Sequence, residues 1–411
     1  MKIWKAMIAA ALLLGICSCN RGEMGYSYNF YDEEEASTDK VVILYAAAAN
    51  NLSGLIQGNI DDVKSGGLPH FRSHQTILVY SHMNWEDSFL CRWSTGECGQ
   101  PVCDTLLRIE AGRSAADSRV LNEVLEKVRD EYPEDTYSYT LILSSHSTGW
   151  LPSWGKHIDN SSYLVGSRHN VFGPEQYPTP NSTKVSLDIQ DLADAIPMKL
   201  DCLVFDACLM GCIEVAYQLR DKVEKLCCSP AEVPGTGYVY SSIVKDLLSG
   251  TGSPEAFSKA FFDYYDEAQQ NGDVYGATST TVDCSKLEPL AEICTTLFES
   301  YRDTLSNINS AQIQHFYRSI SSDDSYARVF FDLEDILVHA GITEEEKASL
   351  DEALNGCITY KDATASFMPH WGGFDIHTYC GLSMYLPNQG YHALNEFYKT
   401  LDWNIATKLV K

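Results

Sequence analysis

The sequence has few basic residues and, beyond its N-terminus, no long apolar run. Its 411 residues include 30 Lys and Arg against 56 Asp and Glu, which gives a formal net charge of −26. A surface this acidic repels phosphate backbones, so nucleic acid is a poor candidate partner and basic peptides or cations are better ones. No later stretch approaches the about 20 apolar residues of a membrane-spanning helix. The balance of 45% hydrophobic and 21% charged residues excludes a largely disordered chain.

Recognisable metal motifs are also missing. The sequence has no HExxH motif and no EF-hand loop, and it shows no internal repeat. Cys91, Cys98 and Cys103 lie close together, but their spacing is not CxxC and no His follows at ligand distance. A disulfide among these three residues is a better interpretation than a zinc site. The residues themselves therefore identify no cofactor and no metal ligand.

The first 18 residues have the features of an export signal. Lys2 and Lys5 precede the apolar run Ala6–Ile16, which is too short to span a bilayer. The run leads into Ile-Cys-Ser-Cys, which resembles a bacterial lipobox and makes Cys19 the lipidated first residue of the mature protein. A plain secretory signal cleaved nearby is the alternative. Residues 19–39 lack a periodic apolar face and are interpreted as a flexible tether. The sequence thus predicts an exported bacterial lipoprotein, anchored to a membrane of the cell envelope or at the cell surface.

From residue 40 to 250, apolar segments alternate with segments of helical spacing. Four short runs rich in strand-favouring residues predict strands buried on both faces: 41–46, 76–80, 139–144 and 202–205. Ala115–Glu131 and Ser186–Ile196 have helical spacing, and Ser186 is the expected N-cap of the second helix. This alternation predicts an α/β fold with a mostly parallel sheet and helices on both faces.

Two stretches depart from the alternation. Residues 151–185 are rich in Gly, Pro, Ser and Asn, and unstructured connections this long are uncommon unless they have a function. Residues 251–411 form the second stretch, in which Ser253 and Pro254 together predict the start of a helix. Amphipathic segments follow, and the chain closes with the strand-like run Gly381–Leu386 and a short helical tail. We expect this C-terminal region to be mainly helical with one closing strand.

Two reactive side chains follow neighbouring predicted strands. His146 comes just after the strand 139–144, and Cys208 comes just after the strand 202–205. If the strands are adjacent, their carboxyl ends bring the two side chains together. A thiol needs a base or a helix N-terminus to form its nucleophilic thiolate at neutral pH, and a helix is expected from Leu209 onward. His146 and Cys208 are therefore a candidate catalytic dyad, and a structural role for both is the alternative.

Several motifs together resemble those of the clostripain family. Members of this family are cysteine peptidases of the caspase-like clan. The motifs are SSHSTGWLP, FDACLMG, AEVPGTGYVY, GLSMYLP and TLDW, in the order of the family. The resemblance implies a caspase-like sandwich over residues 40–250, with His146 as the catalytic histidine and Cys208 as the nucleophile. It implies an endopeptidase that cleaves after Arg or Lys. Some members use calcium, although nothing in this sequence identifies a calcium site.

Asp206 is the candidate substrate-binding residue. Residues two apart on a strand face the same side, so Asp206 and Cys208 are expected to open into one cleft. A carboxylate there can pair with a Lys or Arg side chain of a basic peptide or protein substrate, and the resemblance implies the same role. Its charge also raises the pKa of the thiol, so His146 or a helix end must compensate. The alternative role of Asp206 is to cap a turn.

Ser147 departs from the family pattern, which usually has Gly directly after the catalytic histidine. The backbone N–H at this position helps to hold the oxyanion, and Gly adopts φ values that Ser adopts only at a cost. Ser147 is therefore a candidate oxyanion donor with weakened support. The departure favours a second hypothesis, in which the protein is a catalytically impaired surface lipoprotein that binds basic peptides.

Self-cleavage between the histidine and the cysteine is a further implication of the resemblance, because some family members mature in this way. The long segment 151–185 has three basic residues at which an enzyme of basic specificity would cut. The candidate cleavage sites are Lys156, Arg168 and Lys184.

Overall fold

The computed structural model describes residues 39–152, 172–176, 184–241, 252–318 and 329–411. The signal peptide, Cys19, almost all of the tether, Lys156 and Arg168 lie outside these ranges. Within them, no helix is long and apolar enough to cross a bilayer.

A central sheet of nine strands runs through the described part of the chain. Counting all described strands in chain order, including those outside the central sheet, the first seven are β1 (Asp39–Ala47), β2 (Gln75–His82), β3 (Ser88–Thr95), β4 (Pro101–Ile109), β5 (Tyr137–Ser144), β6 (Phe172–Gln176) and β7 (Lys184–Leu187). The next are β8 (Leu200–Asp206), β9 (Val223–Cys228), β10 (Thr278–Asp283), β11 (Phe331–Asp332), β12 (Ile358–Ala363), β13 (Ser366–Phe367), β14 (Phe374–Asp375) and β15 (Ser383–Met384). The order in the central sheet is β12-β10-β9-β8-β5-β1-β2-β3-β4.

The middle of the sheet is parallel, as the sequence predicts. β9, β8, β5, β1 and β2 pair in parallel. β3 and β4 extend one edge as an antiparallel hairpin, and β10 and β12 extend the other edge in antiparallel pairing. Since β10 and β12 come from the region 251–411, the sheet continues across the expected division at residue 250.

Helices cover both faces of the sheet. They are α1 (Ser53–Ser65), α2 (Ser118–Glu131), α3 (Ile189–Ala195), α4 (Ile213–Leu219), α5 (Pro254–Gln270), α6 (Glu288–Ser300), α7 (Arg302–Leu305), α8 (Leu333–Ala340), α9 (Glu344–Cys357), α10 (His392–Tyr398) and α11 (Asp402–Thr407), with 3-10 turns at Cys284–Lys286 and Ser310–Gln312. Successive side chains of β1 enter two separate cores. Val41 and Ile43 pack with residues of α2, α3, α4 and α6, whereas Val42 and Leu44 pack with residues of α1 and α5.

Local signals in the sequence locate some helix starts and miss others. Ser253 caps α5 by accepting from the Ala256 N–H, as expected. The expectation for Ser186 is wrong, because β6 and β7 form a hairpin in which Val185 pairs with Glu175. The helix begins only at Ile189, after Asp188.

Two further expectations need correction. The run 381–386 contributes only the short strand β15, which pairs with β11 in a small separate sheet. The disulfide expected among Cys91, Cys98 and Cys103 is not formed, and all three are free thiols on or beside β3 and β4. The nine cysteines from Cys202 to Cys380 are free as well.

Candidate active site

The carboxyl ends of β5 and β8 meet at one edge of the sheet. Their parallel register sets Ser144 opposite Asp206, so His146 and Cys208 each lie two residues beyond paired positions. Both side chains line one cleft of about 210 Å³. The sequence-based expectation that these strands are neighbours is confirmed, and the cleft has the histidine and the thiol that acyl transfer requires.

A hydrogen bond sets the orientation of His146. Its Nε2 lies 2.9 Å from the side-chain oxygen of Asn51, a hydrogen-bond acceptor, and this contact favours the tautomer with the proton on Nε2. In the neutral imidazole the basic nitrogen is then Nδ1. Asn50 steadies the adjoining turn, because its side-chain amide donates to the Ala47 carbonyl at 3.1 Å and to the Ser145 hydroxyl at 3.3 Å. No sequence pattern pointed to Asn51, which comes from the connection between β1 and α1.

The surroundings of Cys208 raise the pKa of its thiol. The thiol contacts the Val233 carbonyl oxygen at 3.7 Å. Burial, together with the charge of Glu232, raises the thiol pKa to about 12, and the Val233 contact and the charge of Arg318 oppose the rise. The expectation of a helix from Leu209 onward is wrong, since α4 begins only at Ile213. The thiol therefore lacks a helix N-terminus directly after it and depends on other groups for ionisation.

The residue after Cys208 has an unusual backbone conformation. Leu209 has a φ of 63°, which non-glycine residues seldom adopt. Its N–H donates to the Ala231 carbonyl at 2.9 Å, and this bond connects the turn that contains Cys208 to the segment after β9. Such conformations are held at a cost by the surrounding structure and concentrate at functional sites.

Asp206 lines the same cleft and is almost wholly buried, with 6% of its surface exposed. Its Oδ2 accepts from the Tyr240 hydroxyl at 2.8 Å and from the Ser144 hydroxyl at 3.0 Å. Burial raises the pKa of Asp206 to about 6, and these two bonds limit the rise. The carboxylate is thus held in place but poorly solvated, a state that favours pairing with a cation.

Gly237 leaves room beside this carboxylate. It has a φ of +65°, and a Cβ there would lie 2.7 and 2.8 Å from the two oxygens of Asp206. Any larger residue would therefore collide with Asp206. Gly237 belongs to the motif AEVPGTGYVY, whose Gly235 lines the cleft.

Ser147 does not have the backbone cost expected of it. The described non-glycine residues with positive φ are Leu209, Met368 and Lys408, and Ser147 is not among them. Its hydroxyl donates to the Cys208 carbonyl, a bond that joins the turn that contains His146 to the turn that contains Cys208. Its backbone lies opposite Phe172 in an isolated bridge. The side chain that replaces the usual glycine therefore forms a link between the two turns.

Lys184 and Trp150 are not among the residues that line the cleft. Lys184 is the first residue of β7, with its backbone opposite Gln176, so it lies in a paired strand rather than in an open loop. Trp150 is fully buried against Tyr385 and Tyr398. Calcium is suggested by the resemblance alone, and the described residues include no group of three or more His, Cys, Asp or Glu side chains that could hold a metal ion.

Two charged residues of the cleft were missed by sequence reasoning. Glu232 and Arg318 both line it and form an ion pair with an Nε to Oε1 distance of 3.0 Å. Glu232 could have been found, because it lies in AEVPGTGYVY beside Val233. Arg318 could not, because it follows no motif and comes from a distant part of the chain.

The fold and these strand ends define an α/β protein of the caspase-like class. The family model described as the clostripain family matches residues 44–408, and the chain belongs to that family. Clostripain of Hathewaya histolytica is 24% identical over 243 residues, a region that covers 52% of this chain and 43% of that protein.

Two solved structures share the fold. An inactive zymogen C11 protease from Parabacteroides distasonis is 27% identical with a TM-score of 0.74, covering 91% of this chain and 99% of that one. A secreted C11 cysteine protease from Bacteroides thetaiotaomicron, in complex with an irreversible peptide inhibitor, is 20% identical with a TM-score of 0.71. That likeness covers 90% of this chain and 99% of the other.

Proposed function

We propose that this protein is a cysteine endopeptidase that hydrolyses peptide bonds after Arg or Lys. The observation that carries the proposal is the convergence of His146, Asp206 and Cys208 on one cleft at the carboxyl edge of a parallel sheet. Membership of the clostripain family supports the reaction class.

The reaction would be acyl transfer through the sulfur of Cys208. His146 Nδ1 takes the thiol proton as the sulfur attacks the scissile carbonyl carbon and forms a tetrahedral intermediate. The C–N bond then breaks, and the imidazolium returns the proton to the leaving amine. This leaves a thioester on Cys208. Water, deprotonated by the same imidazole, hydrolyses the thioester and releases the new carboxyl terminus and the thiol.

Asp206 would select the residue before the scissile bond. Its carboxylate, oriented by Tyr240 and Ser144, lies two residues from the nucleophile and faces the same cleft. A Lys or Arg side chain that enters pairs with it through a charge-assisted hydrogen bond. The bound cation also neutralises a negative charge near Cys208, which lowers the thiol pKa when substrate is present. Substrate binding and activation of the nucleophile are in this way coupled.

The protein is proposed to mature by cutting its own chain between His146 and Cys208. A protonated, shielded thiol is what a precursor needs, and the similar protein from Parabacteroides distasonis is an inactive zymogen. Lys156 and Arg168 are the favoured sites. Lys184 is disfavoured because a strand must unpair before its peptide bond can enter a cleft.

Attachment to the cell envelope is the proposed location. The export signal and Cys19 support a lipid anchor, and stable anchoring takes more than one acyl chain. Cys19→Ser should move the protein from the detergent phase to the aqueous phase. Equal partitioning of both forms would remove the anchor from the proposal.

One observation favours the second candidate function, a surface protein that binds basic peptides without cleaving them. The thiol pKa of about 12 leaves almost no thiolate at neutral pH unless another group intervenes. The two functions differ in turnover, because a binding protein retains the peptide and an enzyme releases products.

Hydrolysis of short fluorogenic peptides tests the proposal directly. Peptides that end in Arg or Lys should be cleaved, a matched peptide that ends in norleucine should not, and Cys208→Ala should abolish turnover. Cys98→Ala is the matched control, because Cys98 is an exposed thiol that is not among the residues lining the cleft. The Cys98→Ala variant should retain full activity. Binding of the basic peptide without turnover in every preparation would instead establish the second function.

A further inference from the structure

The cleft contains a second carboxylate besides Asp206, and this one is already paired. Arg318 Nε lies 3.0 Å from Glu232 Oε1, and the terminal nitrogen of the guanidinium donates to the other carboxylate oxygen. The two side chains are only 17% and 21% exposed. A bidentate guanidinium–carboxylate pair with this degree of shielding is stronger and better defined than an ordinary surface pair.

Backbone contacts fix Glu232 next to the nucleophile. The residue before it, Ala231, accepts a hydrogen bond from the Leu209 N–H, and the residue after it, Val233, contacts the Cys208 thiol. Glu232 therefore lies between the two contacts that hold the nucleophile turn. It is also the side chain whose charge most strongly opposes ionisation of the thiol.

Arg318 reaches the pair from a different part of the fold. Two residues earlier, the Phe316 N–H donates to the Phe330 carbonyl at 2.9 Å, which anchors the segment that carries Arg318. A further guanidinium nitrogen lies 3.4 Å from the Trp371 carbonyl. Among the described residues that line the cleft, Arg318 is the one Lys or Arg.

We propose that Arg318 is a positioning residue for the nucleophile. By holding Glu232 in a bidentate pair, it cancels a charge that would suppress the thiolate of Cys208. It also keeps Asp206 as the one carboxylate offered to a basic substrate. This role rests on the proposed function of Cys208 as a nucleophile.

The charges around the thiol determine in which direction each substitution should change thiolate formation. The titratable side chains that line the cleft with Cys208 are His146, Asp206, Glu232 and Arg318, from the ends of β5 and β8 and from two loops. Asp206 and Glu232 disfavour a thiolate, and Arg318 favours it. Removal of Arg318 alone would leave two carboxylates without a cation beside them. Removal of both members of the pair would leave the net charge unchanged.

The test is the pH dependence of Cys208 alkylation by iodoacetamide, a neutral probe, followed at that residue by mass spectrometry. Four proteins are compared: wild type, Arg318→Gln, Glu232→Gln and the double variant. We expect Arg318→Gln to slow alkylation at pH 7.5 by at least about threefold and to move the profile to higher pH. Glu232→Gln should move it to lower pH, and the double variant should return close to wild type.

Controls separate this role from a general loss of structure. Arg220→Gln removes a similarly shielded arginine, 23% exposed, which pairs with Glu288 and Asp402 away from the cleft, and it should leave the profile unchanged. If Arg318→Gln fails to fold, Arg318→Lys keeps the charge without the bidentate geometry and should give a smaller shift. An unchanged profile in the single variants would overturn the proposal, as would a double variant that keeps the full Arg318→Gln shift. Because alkylation needs no peptidase turnover, this result is independent of whether the enzyme cleaves peptides.

Discussion

Asp206 combines two properties that seldom occur in one carboxyl group, since it is buried and yet is proposed to bind a cation. Asp206→Asn keeps the size and the two hydrogen-bonding neighbours but deletes the charge. A charge-assisted bond contributes about 1.5–3 kcal/mol, so kcat/KM for Lys and Arg substrates should fall at least about tenfold. The thiol pKa should fall too, because Asp206 raises it, and turnover of neutral substrates should be retained or improved. Equal losses on basic and neutral substrates would show that Asp206 is structural.

The raised pKa of Asp206 also gives a pH signature with a definite sign. The folded protein binds this proton more tightly than the unfolded chain, so the stability from this group is complete below a pH of about 4 and is lost as the pH rises through about 6. The free energy of unfolding of Asp206→Asn minus that of wild type should therefore be larger at pH 8 than at pH 5. Denaturant titrations at both pH values measure the difference. A constant difference would contradict the pKa assigned to the buried carboxyl.

Gly237 provides an independent test of the same pocket. In Gly237→Ala the new Cβ would crowd both oxygens of Asp206, so kcat/KM for basic peptides should fall by at least about tenfold. Gly272→Ala is the control, because Gly272 also has a positive φ, +98°, but has nothing within 4 Å of the added Cβ. The control incurs the backbone strain without the clash. If both variants lost the same activity, the effect would come from strain rather than from closure of the pocket.

At the scale of elements, the hairpin of β6 and β7 positions the histidine turn. The Gly173 N–H donates to the His146 carbonyl at 3.0 Å. The carboxylate of Glu175 is fully buried and has four partners from three other segments. They are His82 Nδ1 at 2.7 Å, the Ser114 hydroxyl at 2.5 Å, the Ala115 N–H at 2.8 Å and the Ala49 N–H at 3.3 Å. The hairpin would therefore remain attached after a cut at Lys156 or Arg168.

Glu175→Gln should lower kcat by at least about threefold with little change in KM, because a loosened histidine turn misplaces the base rather than the substrate. Steady-state kinetics with an Arg-ended peptide measures this split. Glu214→Gln is the matched control: Glu214 is equally buried but accepts from the Tyr385 N–H and the Tyr398 hydroxyl, and among the described residues it is bonded to none of the histidine turn. It should lose stability without losing kcat. Similar kinetics for the two variants would indicate that Glu175 acts only through general stability.

The sequence predicts a strand correctly where burial on both faces requires a continuous run of apolar residues. β1, β2, β5 and β8 are buried on both faces, so their apolar runs stand out in the sequence and predict the parallel centre. β4 and β12 lie at the two sheet edges, and their partly exposed residues carry too little apolar signal. The sequence around Ser186 predicts a helix start, whereas the structure has the short strand β7 there, because that strand depends on pairing with the separate segment β6.

At the scale of the whole molecule, site residues that directly follow a strand are easier to predict than site residues that come from distant loops. His146, Asp206 and Cys208 could be predicted because adjacent parallel strands bring their ends together. Asn51 contacts His146, and Arg318 lines the cleft, and both come from loops whose positions only the folded chain defines. The acidity of the chain as a whole, −26, agrees with basic peptides as partners.

Labelling with a peptidyl chloromethylketone that ends in Lys or Arg tests the central claim most directly. The reagent needs a basic side chain in the pocket and a reactive thiol beside it, so it reports on Asp206 and Cys208 together. Intact-mass analysis followed by peptide mapping should find one adduct, on Cys208, and none with a matched reagent that ends in norleucine. An adduct on another cysteine, or equal labelling by the neutral reagent, would contradict the account.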